Sequence, residues 1–312
     1  MPKESFVMKL VKLTLVVLVA VILNITAYTG FAPVINAFAN DRTVDSPMPF
    51  FENHYETDHF VLKWTNKSSH SEDNISDQQI IKDTAEYLET AWGKYVALFG
   101  RKPYTAPGQD KVEVVFRDMD CYGVSDPPSG PIQFNSYDWV KNSGIRKPTS
   151  AHELFHKLQY AYGYKTRWNP QEPYLWFTEG TAAWSEVFVW GMVSRTCKLD
   201  TIFRDTKMDL YQADYTATPF WIYCVQGNHP DPNNEFMVKF FEKCEQFNGD
   251  EKRALNEVIK ETYGSVDGFF KDFAKNRKNG FWSDVCDIPY KCILGPDGKD
   301  LVEEIKDIQK KH

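Results

Sequence analysis

"SAHELFHKLQY", residues 150–160, places two histidines four positions apart, with a glutamate directly after the first. In a helix, positions i and i+4 stand one above the other on the same face. His152 and His156 therefore aim their rings at one point, where a single metal ion accepts both. Glu153 lies about 100° further round the helix. It is badly placed as a third ligand but well placed to reach a water beside the ion, the position of a general base. The bland alternative is a pair of partly buried helical histidines with an exposed glutamate between them.

A second stretch weighs between these readings. "LWFTEGTAAWSE", residues 175–186, sets Glu179 among Leu175, Trp176, Phe177, Ala182, Ala183 and Trp184, with 22 residues separating it from His156. A carboxylate in apolar company needs a partner, and a cation is a good one. A hydrolytic zinc takes three protein ligands and keeps one position open. Glu179, arriving from a neighbouring helix, completes the candidate set His152, His156 and Glu179 around Zn2+. Glu186 lies two turns further on, on roughly the same helical face, where the plain reading is a surface glutamate.

HExxH followed by W-x-x-E-G-x-A resembles the pattern of the gluzincin metallopeptidases. "WFTEGTAAWSE" is similar to the W-L-N-E-G stretch of their aminopeptidase branch. The likeness spans residues 150–225, about a quarter of the chain. It implies zinc held by His152, His156 and Glu179, with Glu153 as the base that activates water and Glu186, which matches the branch's second glutamate, as an acceptor for a ligand histidine N–H. "ADYTATPFWIYCVQGN", residues 213–228, resembles the branch's tyrosine segment and nominates Tyr215 as donor to the oxyanion. Tyr211, Tyr223 and His229 stay open as rivals. The branch's upstream G-x-M-E-N segment, whose acid grips a free amino terminus, has "GPIQFN", residues 130–135, as its nearest counterpart. Gln133 stands where the acid is expected. The resemblance thus implies cleavage within a peptide or protein substrate over trimming of N-termini. The same stretch is a candidate edge strand for a substrate backbone, or simply a strand of a sheet. Two other readings stand beside this one. One is a gluzincin-fold binding or adhesion module without turnover, and the other is a zinc hydrolase acting on a different bond.

The N-terminus fits an exported protein. Lys3, Lys9 and Lys12 precede the apolar run Leu13–Leu23, and Ala37-Phe38-Ala39 forms a small-x-small cleavage site. Residues 1–39 are read as a signal peptide, with an uncleaved anchor as the alternative. No later segment is apolar enough to span a membrane, so no stable insertion is expected after cleavage. The formal net charge of −7 argues against nucleic acid, because no basic stripe exists to neutralise phosphates. Six cysteines in an exported chain suggest disulfides, Cys286 with Cys292 first among them. Asn66 and Asn74 begin glycosylation sequons. Asp118, Asp120 and Asp126 share a loop, as solvated aspartates or as a calcium site.

The expected fold is α+β. "HFVLKWT" (59–65), "KVEVVF" (111–116) and "PIQFNSYDW" (131–139) read as strands. Ile81, Ala85, Leu88, Trp92, Tyr95 and Phe99 predict a helix closed by Gly100. The motif helix is predicted from a Thr149 or Ser150 cap to about Tyr162, and another from Leu175 to Trp190. Three short helices follow at 234–247, 251–264 and 266–276. Residues 40–145 thus form a strand-rich lobe and 146–312 a helical catalytic lobe. The gluzincin likeness implies a thermolysin-like arrangement with the motif helix at their junction.

Overall fold

Phe60, Leu62 and Trp64 are buried while Val61 and Lys63 are not, the two-residue alternation of a half-buried strand. They form β2 (Phe60–Trp64) in the computed structural model, which describes residues 48–125, 127–165, 174–192, 210–227 and 232–278. All of these belong to one of the chain's two compact units, Asp45–His312. β1 (Asn53–Glu56) pairs antiparallel with β2, and β2 pairs parallel with β3 (Val112–Arg117). β3 pairs parallel with β5 (Ile132–Asn135), which in turn pairs antiparallel with β4 (Gly123–Val124). The sheet is mixed, in the order β1-β2-β3-β5-β4. The fold is α+β and mostly helical, with eight α-helices among the described residues.

The parallel β2–β3 pair needs a crossover. It is α1 (Gln78–Phe99), capped by the Asp77 side chain on the Gln79 N–H and closed by left-handed Gly100, as predicted. "NSYDW" does not extend the third strand. Asn135 caps the Asp138 N–H and starts the short α2 (Ser136–Lys141). β5 is not an edge strand, since β3 and β4 flank it on both sides. The edge belongs to β4, whose two residues are too few to show periodicity in a segment read as a loop. Gln133 accepts from the Arg117 guanidinium at 2.8 Å.

The motif helix α3 runs Ser143–Ala161, starting six residues before the predicted cap. Asn142 ends α2 through its N–H and caps α3 with its side chain, which accepts from the Gly144 N–H. Pro148 sits inside the helix, where its missing N–H costs one intrahelical bond. Every residue from Pro148 to Tyr160 is buried. A helix covered all round belongs in a core. α3 packs on α1 and on α4 (Leu175–Trp190), which has the predicted bounds and ends at left-handed Gly191. Tyr95 of α1 ties the three together, its hydroxyl meeting the Ala151 carbonyl at 2.8 Å and Ser185 Oγ at 2.9 Å.

α5 (Thr218–Gln226) was not foreseen as a helix. Its Trp221 stacks on Trp176 of α4 and donates to the Trp176 carbonyl at 2.7 Å. Gly180 makes room for that ring, because a Cβ there would lie 2.8 Å from two Trp221 ring atoms. Gly180→Ala gains helix propensity of about 1 kcal/mol but overpacks a buried indole, typically costing 1–3 kcal/mol. The second effect is expected to win, since Trp221 is fully buried and Ala217 Cβ closes the other side at 3.0 Å. The melting temperature should fall by about 2–8 °C, measured by differential scanning calorimetry.

The three later helices form as predicted: α6 (Glu235–Gln246), α7 (Glu251–Tyr263) and α8 (Val266–Lys278). Cys224 and Cys244 are buried free thiols whose pKa burial pushes well up. The Cys286–Cys292 pairing and the signal segment lie outside the described residues. Asp118 is buried and meets His70 Nε2 at 2.8 Å, so it is no solvated loop acid. No helix among the described residues is long and apolar enough to cross a membrane.

Candidate metal centre

α3 and α4 pack so that His152, His156 and Glu179 converge. Their ligand atoms all lie within 4.8 Å of one another. Glu179 Oε2 is 3.1 Å from His152 Nε2 and 3.7 Å from His156 Nε2. Both rings thus turn the same nitrogen toward one carboxylate. Their other nitrogens are each engaged from behind. His152 Nδ1 meets Glu186 Oε1 at 2.7 Å, and His156 Nδ1 meets Gln159 Oε1 at 2.9 Å. Fixing one imidazole nitrogen in this way selects the other for a metal. Glu186, which the sequence left open, is a buried partner of His152 and not a surface glutamate.

Glu153 is 3% exposed and lies against the edge strand. A Cβ on Gly123 of β4 would approach Glu153 Cγ to 2.8 Å and Oε1 to 2.9 Å, so only glycine lets strand and carboxylate sit this close. Of the three nominated tyrosines, Tyr215 lies at the site. Its ring stacks beside His152 at 5.6 Å, and its hydroxyl bonds to Glu179. Tyr211 packs edge-on against Trp176, and Tyr223 packs against Phe269 and Phe273. His229 lies outside the described residues.

The electrostatics favour a cation. Burial opposes charge on His152, but Glu179 and Glu186 override it and push the imidazole pKa up to about 10. Burial also governs His156, which is pushed down to about 4 despite Glu179. Burial raises Glu179 as well, yet the two imidazoles and Tyr215 hold its carboxyl far below the usual range. Three carboxylates, Glu153, Glu179 and Glu186, thus share a largely water-free space with two imidazoles. Buried carboxylates persist when paired or bound to a metal. Two imidazole nitrogens and one carboxylate oxygen are a donor set that divalent transition ions accept. The group could hold a metal ion, and the residues present fit one.

The sequence did not single out Gln159, Gly123, Lys157 or Tyr160. Lys157 is buried on α3, and its ammonium donates to the Pro128 and Gly130 carbonyls at 2.8 and 2.6 Å. Tyr160 donates to the Ser125 carbonyl at 2.5 Å. The helix that carries the histidines therefore also holds the loop joining β4 to β5. Gln159 had a legible signal, being three residues from His156 and so on the same helical face. Gly123 had none, because its role is a contact between distant segments. The chain matches no protein-family profile and no curated protein.

Proposed function

We propose that the chain is an exported, zinc-dependent metallopeptidase of the gluzincin type that cuts within peptide chains. The observation supporting this most is the meeting of His152, His156 and Glu179, with ligand atoms within 4.8 Å, beside a buried glutamate against a sheet edge. In this reading α3, α4 and the β4 edge are the working parts of a thermolysin-like arrangement, and residues 1–39 direct export.

Zinc bound there would acidify a water and polarise the scissile carbonyl. Glu153 takes the proton from the attacking water and delivers it to the departing amine. Burial suits it to that work by keeping bulk water from competing for the proton. Tyr215 turns its hydroxyl from Glu179 to the oxyanion as charge builds there. β4 offers its free edge to an extended substrate backbone, which seats the scissile bond beside Glu153.

Elemental analysis paired with a mixed-peptide digest tests the proposal. One zinc per chain is expected, with internal cleavage that a chelator stops and zinc restores. Metal without cleavage would leave the binding or adhesion module in its place. Cleavage confined to N-terminal residues would overturn the endopeptidase assignment.

Gly123→Ala probes the edge strand. Its methyl group must displace the Glu153 carboxylate, and a shift of about 1 Å in a reacting group costs on the order of 100-fold. The expected result is a kcat/KM lowered by about 10- to 100-fold at unchanged zinc content. Activity equal to the parent would mean that the strand yields and Glu153 keeps its place.

A further inference from the structure

Gln159 is fully buried and touches both helices that carry the candidate ligands. Its amide Nε2 donates to the Thr178 carbonyl at 2.8 Å and to Thr181 Oγ1 at 3.0 Å. These partners leave it one orientation. A carbonyl can only accept. The Thr181 hydroxyl spends its hydrogen on the Phe177 carbonyl at 2.5 Å, so it too offers a lone pair to Gln159. The NH2 end of the amide must therefore face α4, and Oε1 must face His156 Nδ1, 2.9 Å away. Oε1 accepts only, so Nδ1 has to carry the hydrogen. A neutral imidazole then has its lone pair on Nε2, the nitrogen turned toward Glu179.

We propose that Gln159 is a positioning residue that locks His156 in the Nδ1–H tautomer, so that its Nε2 lone pair is already aimed at the metal position. The inference rests on the metal reading proposed above. The same amide fixes the spacing of the two ligand helices, because Thr178 immediately precedes Glu179. The two histidines are thus held by different chemistry. His152 is backed by the carboxylate of Glu186, His156 by a neutral amide whose direction α4 dictates.

Two measurements test this. Long-range ¹H–¹⁵N spectra of the full-length, metal-free protein labelled at histidine report the tautomer directly. His156 is expected to show a pyrrole-type Nδ1 and a pyridine-type Nε2. The reverse assignment would overturn the proposal even if the protein binds zinc. In Gln159→Met, which keeps the volume but removes the amide, zinc affinity measured against a chromophoric chelator should fall by about 10- to 100-fold. Saturating zinc should restore hydrolysis to within a few-fold of the parent, a recovery that general damage to the fold would not allow. An affinity equal to the parent's would overturn the positioning role. If the parent itself binds no zinc, the metal reading fails, whichever tautomer the spectra report. If Gln159→Met does not fold, the tautomer of the parent protein decides alone.

Discussion

Glu153→Gln is expected to leave zinc bound at full stoichiometry while kcat falls by about 100- to 10,000-fold. The glutamine keeps the size and shape of the side chain packed against Gly123, so the strand and the helix need not move. It contributes nothing to the group of ligand atoms, which comprises His152, His156 and Glu179. What it loses is the ability to take a proton from the attacking water and return it to the amine. KM should change little, because substrate positioning is assigned to the β4 edge. Stability should not suffer, since a neutral amide is less costly to bury than a carboxylate. Steady-state kinetics on an internally quenched peptide, with zinc content measured on the same sample, check both halves. Parent-like turnover would remove Glu153 from the mechanism. Lost zinc would mean that its role is structural.

Glu179→Gln should act on the metal itself. The substitution exchanges a charged ligand oxygen for a neutral one at an atom lying 3.1 and 3.7 Å from the two imidazole nitrogens. Loss of partners behind a ligand costs about 10- to 100-fold in affinity, and loss of an anionic ligand should reach at least the upper end of that range. Binding feeds into stability by mass action. Zinc at about 1,000 times its dissociation constant stabilises the parent by about 4 kcal/mol, and a 100-fold weaker site retains only about 1.4 kcal/mol. The zinc-induced rise in melting temperature, about 8–16 °C for the parent, should shrink to about 3–6 °C. The metal-free variant should melt somewhat lower than the metal-free parent, because the carboxylate that partners the two imidazoles has gone, so the zinc-induced rise is the quantity to compare. A variant that loses stability equally with and without zinc would place Glu179 in the packing of α4 and not at the ion.

Much of the site was legible because it is local. Two histidines at i and i+4 need only a helix to meet, and the bounds of α4 followed from its apolar run. Glu179 could be nominated because a carboxylate in apolar company demands a partner, and Glu186 through its match to the second glutamate of the gluzincin aminopeptidase pattern. Features made by distant segments were not legible. The true start of α3 depends on Asn142 serving two helices at once, and Pro148 pointed to a later start that tertiary packing overrides. β4 is two residues long and exists through its pairing with β5. The closeness of Gly123 to Glu153 and of Gly180 to Trp221 can be read only once the elements are packed. The direction of the Gln159 amide needs Thr178 and Thr181 from another helix.

Equilibrium dialysis of the full-length protein and of His156→Ala against zinc, followed by elemental analysis, decides whether α3 and α4 build a metal centre. One zinc per parent chain, lost at the same free concentration in His156→Ala, is the predicted result. A parent without zinc, or a variant that retains it undiminished, would contradict a metal centre built from α3 and α4.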